Sequence, residues 1–296
     1  MTPVALQEAA VQLQRRRLRT ELRRLRSERE LTQKDVAREM DWSLSKLNRI
    51  ESGAVGISTS DLKGLLRLYG VVEDNDVEPY VQMARAGRDQ QQWWDRFRYV
   101  TSTQYVNFLA YENSASVIQQ FEPMLIPGLL QNDDYARAVL EELAGSASKQ
   151  LVDDWVQLRM QRQEELFERP DRPEMLFVIS EAALRPWVGG ADVMRRQLRR
   201  LREASKLDKV TIEVVPFKGG AHPGMKGPFV ILQFTEELLE DVLFLENSRG
   251  DMISRDVKEE VEPYYESLGR LRDLAKDAEL DALIDEALDR MPENGL

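Results

Sequence analysis

The stretch Leu31-Thr32-Gln33-Lys34-Asp35-Val36-Ala37-Arg38-Glu39-Met40, then Asp41-Trp42, then Ser43-Leu44-Ser45-Lys46-Leu47-Asn48-Arg49-Ile50-Glu51-Ser52-Gly53, decides the N-terminal fold. Thr32 is a helix N-cap, and Asp35 three residues on completes a capping-box pattern, so a short helix is predicted from Thr32 to Met40. Asp41-Trp42 breaks it. Ser43 caps the next helix, which runs to about Ser52 and stops at Gly53. Val36, Ala37 and Met40 form one apolar face, Leu47 and Ile50 the matching one, and the small Ala37 lets the helices cross closely. Ser45, Asn48, Arg49 and Ser52 then point outward at spacings of three, four and seven, the row of donors that a helix in a major groove needs.

Working outward, residues from about Leu6 to Arg29 read as one helix with Leu18, Leu22 and Leu25 on its apolar side. Asp61 to Tyr69 reads as a fourth, with Leu62, Leu65, Leu66 and Tyr69 as its stripe. The acidic segment Val72 to Glu78 is taken as the domain boundary. Residues 1–70 hold 14 Lys and Arg against nine Asp and Glu, net +5, while the remainder carries −16 of the chain's −11 total. That asymmetry suggests a polyanion-binding head on an acidic body, although an Arg-rich solvated helix gives the same count.

With 296 residues, the chain has room for two domains at about 100–200 residues each. A hydrophobic share of 42% excludes a disordered or collagen-like chain. No apolar run approaches the length of a membrane span, and no apolar stretch precedes Arg15, so neither a membrane association nor a secretory signal is expected. Zero Cys excludes disulfides and thiolate chemistry, and one His leaves no His-rich metal cage. A cytoplasmic protein without metal or cofactor is the expectation.

The Leu31–Gly53 stretch closely resembles the Xre-type (Cro/cI-like) helix-turn-helix, whose pattern runs L-[ST]-Q-x-x-[LV]-A and ends in I-E-x-G; Gln33, Ala37, Ile50, Glu51 and Gly53 stand in register. The resemblance implies that Gln33 touches a phosphate and that Ser43, Leu44, Ser45, Lys46, Asn48 and Arg49 form the DNA-contacting set. It also implies that Arg26 and Glu51 tie the first helix to the recognition helix. The chain departs from the family at Glu30 and Asp41, where glycine is frequent because the backbone turns left-handed; Asp tolerates that conformation and Glu does so poorly.

Beyond the boundary, helices are expected at Gln91–Phe97, Ala110–Phe121, Asn132–Leu143, Gln150–Glu168, Ala191–Ser205 and Ser254–Arg290, and strands at Met175–Ser180, Val210–Phe217, Phe229–Phe234 and Val242–Glu246. The fold class is therefore α+β: an all-helical N-terminal domain (1–75), a helical linker (76–110), and a mixed domain (111–296) with a small antiparallel sheet covered by helices. Blocks such as Phe121–Gln131, Arg159–Gln163, Glu181–Arg185, Val215–Phe217 and Gly220–Gly224 resemble those of actinobacterial Xre-type regulators with an antitoxin-like C-terminal domain of unknown function. His222, with Arg159, Arg162 and Glu181, either lines a ligand or partner pocket or caps a loop among ordinary surface pairs. Trp93-Trp94 reads as core packing or a dimer seam, with a small-molecule platform as the other reading.

Nucleotide-binding glycine loops, zinc-protease and nucleophile-elbow patterns are absent, and the two Ser-x-x-Lys matches lack companion motifs, so no enzyme is expected. The expected function is a homodimeric transcriptional regulator that reads a (pseudo)palindromic operator in double-stranded DNA. A small protein partner or small-molecule effector would act on it through the C-terminal domain. The competing reading is an antitoxin-like protein–protein module whose DNA binding serves autoregulation.

Overall fold

Residues 17–28 form helix α1, which places Leu18, Leu22 and Leu25 in the first of two cores. The computed structural model describes residues 17–51, 55–86, 92–235, 240–246, 252–255 and 258–292; the start of the long first helix expected from the sequence, and Ser52 and Gly53, lie outside them. Helices α2 (Gln33–Glu39), α3 (Leu44–Glu51), α4 (Thr59–Leu68) and α5 (Asp74–Ala86) follow. The capping box at α2 forms on both sides, Asp35 N donating to Thr32 Oγ1 and Thr32 N to the Asp35 carboxylate. Ser43 Oγ accepts from Lys46 N at the start of α3, and Ser58 Oγ from Asp61 N at α4.

Three of these helices end in the same way. At α1, Glu30 N donates to Ser27 O and Leu31 N to Arg26 O; at α2, Asp41 N to Arg38 O and Trp42 N to Ala37 O; at α4, Gly70 N to Arg67 O and Val71 N to Leu66 O. Each is a Schellman arrangement, which needs one left-handed residue and favours an apolar one after it. The left-handed residues are Glu30 (φ 56°), Asp41 (φ 53°) and Gly70 (φ 85°). The apolar residues that follow, Leu31, Trp42 and Val71, all pack onto the core. Arg29 Nε donates to Tyr69 O at 2.8 Å and lies over Gly70, so a side chain there would meet its guanidinium.

The first compact unit extends past the boundary expected within 72–78. Val77, Val81 and Ala84 of α5 belong to the same core as α1–α4, and the compact unit extends to Asp95. Asp74 and Asp76 stand in the first turn of α5, where carboxylates are as favourable as in a linker. The segment expected as a helical linker is thus divided between two units, the second beginning at Arg96.

That second unit opens with α6 (Thr103–Glu112) and builds one six-stranded sheet: β1 (Val117–Glu122), β2 (Glu174–Ser180), β3 (Val210–Val215), β4 (Phe229–Gln233), β5 (Val242–Glu246) and β6 (Met252–Arg255), in the order β3-β2-β1-β4-β5-β6. The sheet is mixed. β1, β2 and β3 run parallel, while β1–β4, β4–β5 and β5–β6 are antiparallel, which corrects the antiparallel expectation. The chain returns from β1 to β2 through α7 (Asp133–Leu143) and α8 (Lys149–Phe167), and from β2 to β3 through α9 (Ala191–Ala204). Such helical crossovers are what parallel pairing requires. β2 is buried along all but its first residue, as a strand covered on both faces should be.

The central strand β1 lies where a helix was expected. Its face alternation is Val117, Gln119, Phe121 against Ile118, Gln120, Glu122, and the polar residues disguised the period of two. The final helical stretch instead supplies β6, α10 (Lys258–Ala275) and α11 (Leu280–Asp289). α10 packs Val261, Leu268, Leu271 and Ala275 on the face bearing Phe121, Val178, Ile231 and Leu243. On the opposite face the Phe108 ring of α6 meets Phe244 edge-on at 5.0 Å.

The left-handed positions give a paired prediction for chemical denaturation. Glu30→Gly should stabilise the N-terminal unit by about 1 kcal/mol, because it relieves a left-handed Glu. Gly70→Ala should destabilise it by about 1–2 kcal/mol. Equal and small effects at both sites would contradict the assignment.

Candidate nucleic-acid interface

Glu51 ends α3 with its side chain 4% exposed, and its carboxylate is shared by two other helices. Arg26 of α1 donates from Nε to Oε1 at 2.8 Å and from Nη2 to Oε2 at 3.2 Å, while its Nη1 reaches Leu31 O at 3.0 Å. Gln33 of α2 donates from Nε2 to Oε2 at 2.7 Å. The pair inferred from the resemblance therefore forms, and Gln33 joins it. A bidentate guanidinium–carboxylate contact fixes orientation as well as distance, so α3 is held against α1 and α2 at its C-terminal end.

On this support α3 buries Leu47 and Ile50 and leaves Leu44, Ser45, Asn48 and Arg49 exposed on its outer face. Leu44 is one of the larger exposed apolar side chains, suited to contact with a thymine methyl. The remaining three expected residues stand elsewhere. Ser43 is committed to its cap. The Lys46 ammonium lies 3.1 Å from Asp61 Oδ2 and 4.0 Å above the Trp42 ring, turned toward α4. Gln33 faces Glu51 but also lines an open cleft of about 630 Å³ with Arg26, Lys34 and Leu44. Neither the Gln33–Glu51 bond nor the Lys46–Asp61 pair is legible locally, since each joins residues 15 or more apart.

In the second unit, the polar residues singled out from the sequence separate into three places. Arg162 forms a buried bidentate pair with Glu112, both bonds 2.6 Å, with its Nη1 donating to Tyr105 Oη. Arg159 donates to Gln131 Oε1 at 2.6 Å, and Gln163 Nε2 donates to the carbonyls of Gly128 and Gln131. Together they pin the segment after β1. Glu181 instead pairs with Arg185 and accepts from Phe217 N. His222 lies against the Phe121 ring at 6.0 Å, on the sheet face covered by α10, and burial lowers its pKa. Arg159 and Arg162 stand together on α8, apart from Glu181 and His222; His222 makes no side-chain cap bond, and its Nδ1 is buried without a partner. Trp93 and Trp94 meet edge-to-face at 5.3 Å with Trp94 buried.

A helix-turn-helix domain model matches residues 17–79, and a model described as a domain of unknown function, DUF5753, matches residues 105–280. The second match spans more than half of the chain. The chain belongs to the DUF5753 family. Comparison with curated proteins and with solved structures gives no match. The helix-turn-helix match makes the chain a DNA-binding regulator. No helix among the described residues is long and apolar enough to cross a membrane.

Within the DUF5753 domain, Glu122 stands out electrostatically. Burial, reinforced by the like charge of Glu246, pushes its carboxyl up to about 8 against the pull of Gln120, Arg159 and Arg162. Between pH 4.5 and 8 the native state thus holds a proton that the unfolded chain has released, so stability falls as pH rises through that window. Glu122→Gln should remove this decline from melting curves taken across that range; an unchanged slope would show that Glu122 does not cause it. In the N-terminal unit, Glu51→Gln should cost about 3 kcal/mol by denaturation, because it strips the charge partner from a half-buried Arg26.

Proposed function

We propose that the chain is a transcriptional regulator that reads a (pseudo)palindromic operator as a homodimer through α3. Asn48 and Arg49 supply the main base contacts, Ser45 and Leu44 the adjoining ones. The observation that carries the reading is the exposed row on α3 held in place by the buried Glu51 carboxylate. Two such helices would enter major grooves about one helical turn, ~34 Å, apart. With few bidentate donors in the row, DNA shape would contribute to selectivity. The DUF5753 domain would supply dimer contacts and the surface through which a small protein or ligand alters operator affinity.

A second reading has the DUF5753 domain as an antitoxin-like module whose main task is to hold a small protein. It is favoured by exposed apolar side chains in the segments that follow the three parallel strands: Met124 after β1, Trp187 after β2, Phe217 and Met225 after β3. Loops at the carboxyl ends of such strands are common binding positions.

The test is binding of full-length protein to its own upstream DNA and to a scrambled duplex across a salt series. Arg49→Ala and Asn48→Ala should each cost about 1–3 kcal/mol on the upstream DNA and little on the scrambled one. Equal, steeply salt-dependent binding to both duplexes would mean phosphate contact alone and would favour the second reading.

A further inference from the structure

β1 occupies the point in the sheet where the chain reverses its direction of travel. It passes from β1 to β2 and β3 on one side, then crosses to β4 on the other. In open α/β sheets, the crevice beyond the carboxyl ends of strands at such a switch point is where ligands bind. Glu122 is the last residue of β1 and Glu246 the last of β5. Phe121, Phe229 and Leu245 lie opposite one another in register, so Glu122 and Glu246 share the other face, two strands apart. That face also carries Gln120, and Arg159 and Arg162 of α8 act on both carboxylates.

The hydrogen bonding here is incomplete. Gln120 is 6% exposed; its Nε2 donates to Glu122 Oε1 at 2.9 Å, and its Oε1 has no partner. Arg162 is taken up by Glu112 and Tyr105, and Arg159 donates to Gln131. Among the described residues, no ion pair forms to Glu122 or Glu246. Glu122 accepts from Gln120 alone, the exposed Glu246 has no described donor, and the buried Gln120 Oε1 has no partner. A buried acceptor left in this state calls for an explanation.

We propose that Gln120, Glu122, Glu246 and Arg159 form a site for a small amino-acid-like ligand. Its primary ammonium lies on Glu122, Glu246 and Gln120 Oε1, and its carboxylate or carbonyl meets the unused guanidinium donors of Arg159. A divalent cation fits less well, because the described residues offer no third carboxylate or imidazole and Arg159 stands beside the pair. The elevated Glu122 carboxyl adds a signature: an ammonium binding near neutral pH drives a proton off Glu122 into the buffer, so binding heat depends on buffer ionisation. The site goes beyond the operator reading and stands or falls without it.

The experiment uses full-length protein without DNA, and as probes the common amino acids, their amides and their N-acetyl counterparts, with Mg²⁺ and Ca²⁺ as separate arms. Thermal shift selects probes and calorimetry in two buffers measures affinity and proton release. The result expected is that one or more free amines bind with proton release while their N-acetyl forms do not. Glu122→Gln should abolish the release and weaken binding at least about tenfold. Glu246→Gln, at an exposed position, should weaken binding several-fold without lowering the melting temperature of the free protein. The proposal is overturned if no free amine binds, if N-acetyl forms bind equally, if only the metal ions bind, or if both variants bind like wild type.

Discussion

A single buried carboxylate organises the DNA-binding end of this protein. Glu51 receives the Arg26 guanidinium from α1 and the Gln33 amide from α2 while it belongs to α3. Breaking a pair of this kind costs more than making it gains, because the partner left behind keeps its desolvation penalty. The arrangement therefore serves geometry more than stability. It fixes where the outer face of α3 stands relative to the N-terminus of α2. Every contact proposed for Asn48 and Arg49 depends on that placement.

The Schellman endings extend the same logic to the backbone. Each uses a left-handed residue to redirect the chain and an apolar residue to fasten it, so the turns α1–α2, the break after α2 and the turn α4–α5 are built alike. Only the last uses glycine. At Glu30 a side chain occupies a conformation that it disfavours, a local conflict that the packing of Leu31 and the bonds of Arg26 overcome.

The N-terminal unit was largely legible because its signals are short-range: Thr32 with Asp35, the cap at Ser43, the apolar spacings of Leu62, Leu65 and Leu66. The left-handed turn at Asp41 agreed with the resemblance, whereas at Glu30, where a different turn was expected, the left-handed conformation is kept. What failed was the end of the unit, where acidic residues opening α5 resembled a linker. In the larger unit, β2, β4 and β5 were legible from dense apolar runs. β1 was not, because Gln119, Gln120 and Glu122 put polar groups on a strand paired on both edges. Its neighbours in space, β2 and β4, come from residues more than 50 positions away, and no local pattern reports such pairing. Two of the polar residues that hid the strand, Gln120 and Glu122, belong to the proposed site at its carboxyl end, so the failure of the local rule coincides with it.

The most direct measurement is amide hydrogen exchange on the full-length protein, free and bound to its upstream DNA. If Glu51 holds α3 as the reading element, new protection should concentrate at Gln33 and across Leu44–Arg49. The sheet of the second unit should change little. Protection that falls outside α2 and α3, or none at all with the complex formed, would contradict the account.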